Sequence, residues 1–113
     1  MTANPAGQPP ELTVQEVAEI LKNEPETRIL DVRTPGELAT ASVKGFEHLD
    51  EATAKALIDA PERDIKLVFS CHHGMRSLAA AAAFMEQGFT NVHSMAGGID
   101  AWSLEVDPAV PRY

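Results

Sequence analysis

Short apolar runs that suit buried strands alternate with amphipathic or alanine-rich runs that suit helices along almost the whole chain. No other feature restricts the fold as much. Strands separated by helices are brought side by side through crossovers, which predicts an α/β architecture with a mainly parallel sheet. Arg28-Ile29-Leu30-Asp31-Val32, between Pro25 and Pro35-Gly36, reads as one buried strand, and Ile65-Lys66-Leu67-Val68-Phe69 as the clearest, running straight into Ser70-Cys71. Shorter strands are expected from Phe46 to Leu49 and from Asn91 to Ser94. Thr13 with Glu16 three residues on forms a capping box, and Leu12 can staple against Val17 across it. The helix that follows presents Val14, Val17, Ala18 and Leu21 as its apolar face and ends at Asn23 to Pro25.

Three further segments are read the same way. A turn or short helix spans Pro35 to Thr40, and Asp50 caps a helix from Glu51 to Ala60 that Pro61 stops. From Arg76 to Gln87 the chain is strongly helical, with Leu78, Ala81, Ala82 and Met85 on one face, Gly88 terminating it and Phe89 folding back on Phe84. The five alanines from Ala79 to Ala83 are small enough to let that helix approach a sheet closely. Gly97-Gly98 reads as a turn leading to a segment in which Trp102 anchors the core.

A chain of 113 residues holds one core, and folding should bury about two thirds of the surface of the extended chain. The expected organisation is a flexible arm over residues 1–10, rich in proline, a domain over 11–104, and a tail over 105–113. A net charge of -8 repels phosphate backbones and anionic lipid, so neither nucleic acid nor membrane is expected as a partner. The longest apolar run, Leu78 to Met85, is far too short to span a bilayer, and Met1 to Pro10 has neither the basic stretch nor the apolar region of a secretory signal. A cytoplasmic location is the expectation, where the single Cys71 stays a reduced thiol.

In an open parallel sheet the functional crevice lies at the carboxyl ends of the strands. Cys71 stands at such an end. The loop Cys71-His72-His73-Gly74-Met75-Arg76 joins the best strand to the best helix, so its backbone amides should line a concave anion site at a helix N-terminus, with Gly74 letting the chain curl. The helix dipole, the loop amides and the Arg76 guanidinium all favour the thiolate, which makes Cys71 the candidate nucleophile. Arg76 opposes the dipole at a helix start, which points to a functional rather than a structural role, and His72 and His73 either raise the local positive potential or face solvent.

Cys-x-x-Gly-x-Arg-Ser over Cys71 to Ser77 resembles the active-site loop of the rhodaneses, the thiosulfate:cyanide sulfurtransferases. Asp31-Val32-Arg33-x-x-x-Glu37 is similar to that family's first motif, and Ala96-Gly97-Gly98-Ile99-Asp100-Ala101-Trp102 to its C-terminal one, in the same order. The resemblance implies a rhodanese-like fold, a five-stranded parallel sheet flanked by helices on both faces. It also implies a cysteine that accepts a sulfane sulfur from a small anionic donor such as thiosulfate, holds it as a persulfide and passes it to cyanide, a small thiol or a partner protein. On that reading Arg76, His72, His73, Gly74 and Met75 bind substrate, while Asp31, Arg33, Glu37 and Ser77 support the loop.

Related phosphatases and arsenate reductases on this fold have a longer loop, with five residues between cysteine and arginine, that encloses a tetrahedral oxyanion. Four residues separate Cys71 from Arg76, which favours sulfur over phosphate. A non-enzymatic binding module is disfavoured because the cysteine is present. No cofactor is expected, and no metal, since adjacent His72 and His73 point apart and no Cys-x-x-Cys pair exists. Arg33 and Glu37 are expected to pair, with Asp31 bonding to loop backbone. Many family members carry Gly-His-Ile-Pro-Gly where this chain reads Ala41-Ser42-Val43-Lys44-Gly45. The tail from Val106 to Tyr113 resembles the endings of rhodanese domains fused to glutaredoxins or to sulfur-carrier-activating enzymes, which hints at sulfur delivery to a protein.

Overall fold

Local signals set the element boundaries. The computed structural model describes residues 8–113, so most of the expected arm lies outside the described residues. A two-residue strand β1 (Glu11–Leu12) leads into α1 (Val14–Asn23), whose N-terminus carries the Thr13/Glu16 capping box. There follow β2 (Arg28–Asp31), α2 (Pro35–Thr40) with a second capping box from Thr34 and Glu37, and β3 (Glu47–His48). Asp50 caps α3 (Glu51–Asp59), and β4 (Leu67–Ser70) leads through the cysteine loop into α4 (Met75–Glu86). The chain then forms β5 (Val92–Met95) and α5 (Gly98–Glu105). At the end of α4, Gly88 at φ 96° lets the Phe89 amide donate to the Phe84 carbonyl and the Gly88 amide to that of Met85, the paired bonds of a Schellman turn.

All five strands are parallel, in the order β1-β5-β4-β2-β3. The period-2 alternation of β4 then divides the interior in two. Val68 faces α1 and α5, where it joins Val17, Ile29, Met95, Ile99 and Trp102, while Leu67 and Phe69 face α3 and α4 and meet Leu57, Ala81 and Phe84. Helices thus cover both faces of a sheet whose central strand delivers Cys71 at its carboxyl end.

The structure departs from the sequence reading in details that bear on the site. The buried stripe of α1 is Val14, Val17 and Ile20, packed with Ile29, Val68, Ile99 and Trp102, while Ala18 and Leu21 are only half-buried at its flank. On α4 the buried residues are Ser77, Ala81 and Phe84, so the inward face is turned by one position and a serine hydroxyl lies under the loop. β4 starts two residues later than expected and runs through Ser70. Gly97 and Gly98, at φ 79° and 62°, open a helix rather than a simple turn. Val106 and Asp107 both donate to the Trp102 carbonyl, and the Asp107 side chain accepts from the Ala109 amide, so the tail reverses and buries Val110 in the core.

Candidate active site

Cys71 leaves the end of β4 with only 1% of its surface exposed. Gly74, at φ 101°, brings its own amide back onto the sulfur, donating to Cys71 Sγ at 3.0 Å. A side chain at that position would bring its Cβ within 3.1 Å of the Gly97 nitrogen as well as straining the backbone. Behind the sulfur, Ser77 Oγ lies 3.4 Å from Cys71 Sγ, 2.8 Å from Ser94 Oγ and 3.2 Å from the Gly74 carbonyl. Both hydroxyls are buried, and together they give the sulfur a polar wall that carries no charge.

The N-terminus of α5 pins the same loop from beneath. The Ile99 amide donates to the Cys71 carbonyl at 2.8 Å and the Asp100 amide to that of His72 at 3.1 Å. Gly98 makes the approach: a Cβ there would lie 2.4 Å from the carbonyl oxygens of both Cys71 and His72. Sequence reasoning placed Gly98 in a turn and left Ser94 unnoticed. The small-residue run Ala96-Gly97-Gly98 was a usable signal for the first, whereas nothing local marks Ser94, which meets Ser77 only because β5 lies beside β4.

The charged rim differs from the expected pairing. Arg33 does not pair with the Glu37 carboxylate; it pairs with Asp31 at 2.7 Å, both side chains fully buried, and its other donors reach the Ala41 carbonyl and the Tyr113 hydroxyl. Asp31 curls Arg33 back by also accepting from its backbone amide, so the local hydrogen bond outcompetes the helix-distance pair. The Ala41–Gly45 turn keeps its place through backbone and core contacts, Ala41 and Val43 both being buried. Glu37 is taken instead by Arg76, in a bidentate pair of 2.7 and 2.8 Å, and Tyr113 donates to the same carboxylate at 2.8 Å. Arg76 thereby holds the Glu37 carboxyl well below the usual carboxylate range, and Glu37 holds the guanidinium above its own. The half-buried ring of His72 stacks on Tyr113 with centroids 3.9 Å apart, and the His73 ring lies 3.9 Å from it, tilted by 35°, so the adjacent histidines lie together rather than pointing apart as expected. His73 and Met75 are exposed, Met75 at 77%.

Cys71, Gly74 and Ser77 therefore converge on one sulfur, while Arg76, Glu37, His72, Arg33 and Asp31 form a rim, and Met75 stands outside both. Among the described residues no group of three or more His, Cys, Asp or Glu side chains is gathered to hold a metal ion. No described helix is long and apolar enough to cross a membrane.

Known proteins share this fold and sequence. The chain is 33% identical over 101 residues to the thiosulfate sulfurtransferase GlpE of Pseudoalteromonas translucida, covering 89% of this chain and 95% of that one. The human single-domain sulfurtransferase TSTD1 superposes with a TM-score of 0.69 at 25% identity, over 85% of this chain and 96% of that one. A Rhodopseudomonas palustris protein of unknown function, described as a possible tyrosine phosphatase, superposes with a TM-score of 0.73 at 25% identity, over 93% and 85%. Residues 13–105 match the model of the rhodanese-like domain, which takes in the cysteine loop and both flanking motifs, and the chain belongs to that family.

Proposed function

We propose that this protein is a thiosulfate sulfurtransferase that works through a persulfide on Cys71. The observation that carries the reading is the placement of the chain's only thiol at the end of the central strand, with the Gly74 amide donating to its sulfur and the Ser77 hydroxyl beside it. Sulfur transfer needs a group that is a nucleophile in one half of the cycle and a leaving group in the other, and the Gly74 amide aimed at the sulfur stabilises its anion in both roles.

In the first half, the Cys71 thiolate attacks the sulfane sulfur of thiosulfate; the Sγ–S bond forms, the S–S bond of the donor breaks, and sulfite leaves with the electron pair. In the second, cyanide, a small thiol or a nucleophile on a protein attacks the outer sulfur, and the Sγ–S bond breaks to return the thiolate. Neither half requires a cofactor. Arg76 is the donor-docking cation: its bidentate partner is now the Glu37 carboxylate, and an incoming sulfonate can present two of its three oxygens to the same guanidinium and compete for it.

Intact mass after incubation with thiosulfate tests the reading. The wild type should gain one sulfur and lose it to cyanide or an external thiol, while Cys71→Ser should gain nothing. An equal adduct on the variant, or none on the wild type, would overturn it. The six-residue loop makes the same assignment against phosphate chemistry, so thiocyanate should form while an aryl phosphate stays intact; aryl phosphate hydrolysis that vanishes in Cys71→Ser, with no thiocyanate from the wild type, reverses the choice.

A further inference from the structure

The matched family region ends at residue 105, yet the tail beyond it reaches the site. After the turn at Asp107, Val110 is buried, Arg112 bonds Asp100 of α5 at 2.9 Å, and Tyr113 lies on the rim. Its ring stacks on His72, the second residue of the cysteine loop, at 3.9 Å between centroids and 7° between planes. Its hydroxyl accepts from Arg33 and donates to Glu37, which in turn binds Arg76, the sixth residue of the loop. The phenol thus links the second residue of the loop to the sixth by way of Glu37.

Three observations say what such a bridge does. Cys71 is 1% exposed, so a reagent of any size must find an opening to the sulfur. His72 Nε2 is shut from solvent with no hydrogen-bond partner among the described residues, under a ring that the strap supplies. Tyr113 itself is 41% exposed and the Arg112–Asp100 pair is also at the surface, so the strap is fastened by groups that water readily replaces.

We propose that Tyr113 is a specificity-determining residue: stacked on His72 and bridged to Glu37, its ring narrows the mouth of the Cys71 loop, so that a small sulfur donor or acceptor enters past the closed strap while a bulky one enters only when residues 111–113 swing away. This deepens the sulfurtransferase reading and rests on Cys71 being the reacting atom. The accessibility it asserts is measurable without any sulfur transfer.

Because Cys71 is the only thiol, its labelling rate reads the opening directly. Iodoacetamide and fluorescein maleimide serve as the small and bulky probes. A latch of one stack and two hydrogen bonds leaves the open form at about a tenth of the population, so Tyr113→Ala should speed the bulky probe roughly tenfold and the small one by less than about twofold. Tyr113→Phe, which keeps the stack but loses both hydrogen bonds, should fall between the wild type and Tyr113→Ala, as should Arg112→Ala, which loosens the strap away from the ring. Equal rates in all four proteins would overturn the proposal, as would acceleration of both probes alike in Tyr113→Ala with a lowered melting temperature, which would mean general loosening. Size-selective labelling in a protein that forms no persulfide would leave the strap standing and remove the sulfurtransferase reading instead.

Discussion

The wall behind Cys71 and the rim in front of it are built from different bonds. Ser77, Ser94, Gly74 and the α5 amides hold the sulfur and its backbone with neutral hydrogen bonds among buried groups. Glu37, Arg76, Tyr113 and Arg112 hold the rim with charged or phenolic groups, most of them partly exposed. A buried neutral bond costs its full desolvation penalty when one partner is lost, whereas an exposed ion pair trades partners with water or with another anion at little cost. The wall is suited to keeping the sulfur in one place and the rim to exchanging one charged partner for another.

Arg33 and Asp31 tie the rim to the interior and should show the largest effect. Arg33→Met leaves the Asp31 carboxylate buried without its partner, and equilibrium unfolding should show a loss of about 3–5 kcal/mol. A loss near that of a surface pair would mean that the rim has no buried root. Gly98→Ala comes next, because its Cβ would meet two backbone oxygens that cannot rotate away, at a φ of 62° that side chains seldom adopt. The expected cost is about 2–3 kcal/mol by denaturant titration, with the cysteine loop displaced and persulfide formation lost. A fully stable, fully active variant would show that α5 does not pin the loop.

Ser77→Ala should cost about 1 kcal/mol and leave Ser94 without its hydroxyl partner, lowering the rate of persulfide formation more than the affinity for donor. If donor affinity falls and the rate constant does not, the wall belongs to donor binding and the contrast between wall and rim fails. The smallest effect belongs to Glu37→Gln, at less than about 1 kcal/mol. Since Arg76 lowers the Glu37 carboxyl, its contribution is complete at neutral pH and above the unfolded value near 4.3, and is lost as pH falls from there toward the lower folded value. Stability of the variant should therefore fall less steeply on acidification below about pH 4.3 than that of the wild type. Identical acid limbs would show that the Arg76–Glu37 pair adds nothing to the fold, and a weaker Michaelis constant for thiosulfate in the variant would show that Glu37 helps rather than competes.

Much of the fold was legible because its signals are short-range. The Thr13 and Asp50 caps, the stop at Gly88 and the strand-to-loop passage at Cys71 each depend on residues within a few positions of one another. β1 and α5 escaped for opposite reasons. A two-residue strand is too short to carry a period and exists only through its pairing with β5, while the paired glycines of α5 disfavour the helix that the Cys71 and His72 carbonyls recruit.

The site divides along the same line. Sequence alone determined the candidate nucleophile, its loop, the glycine that curls it and the family to which the three motifs belong, because each is a property of residues adjacent in the chain. Only the tertiary structure decided who neutralises whom: Arg76 and Glu37 stand 39 positions apart, Ser77 and Ser94 17 apart, and Tyr113 and Glu37 76 apart. Those partners meet because parallel strands return to the same end of the sheet after every crossover, which gathers distant loops into one crevice and leaves the choice among the carboxylates and hydroxyls waiting there to distance, burial and angle.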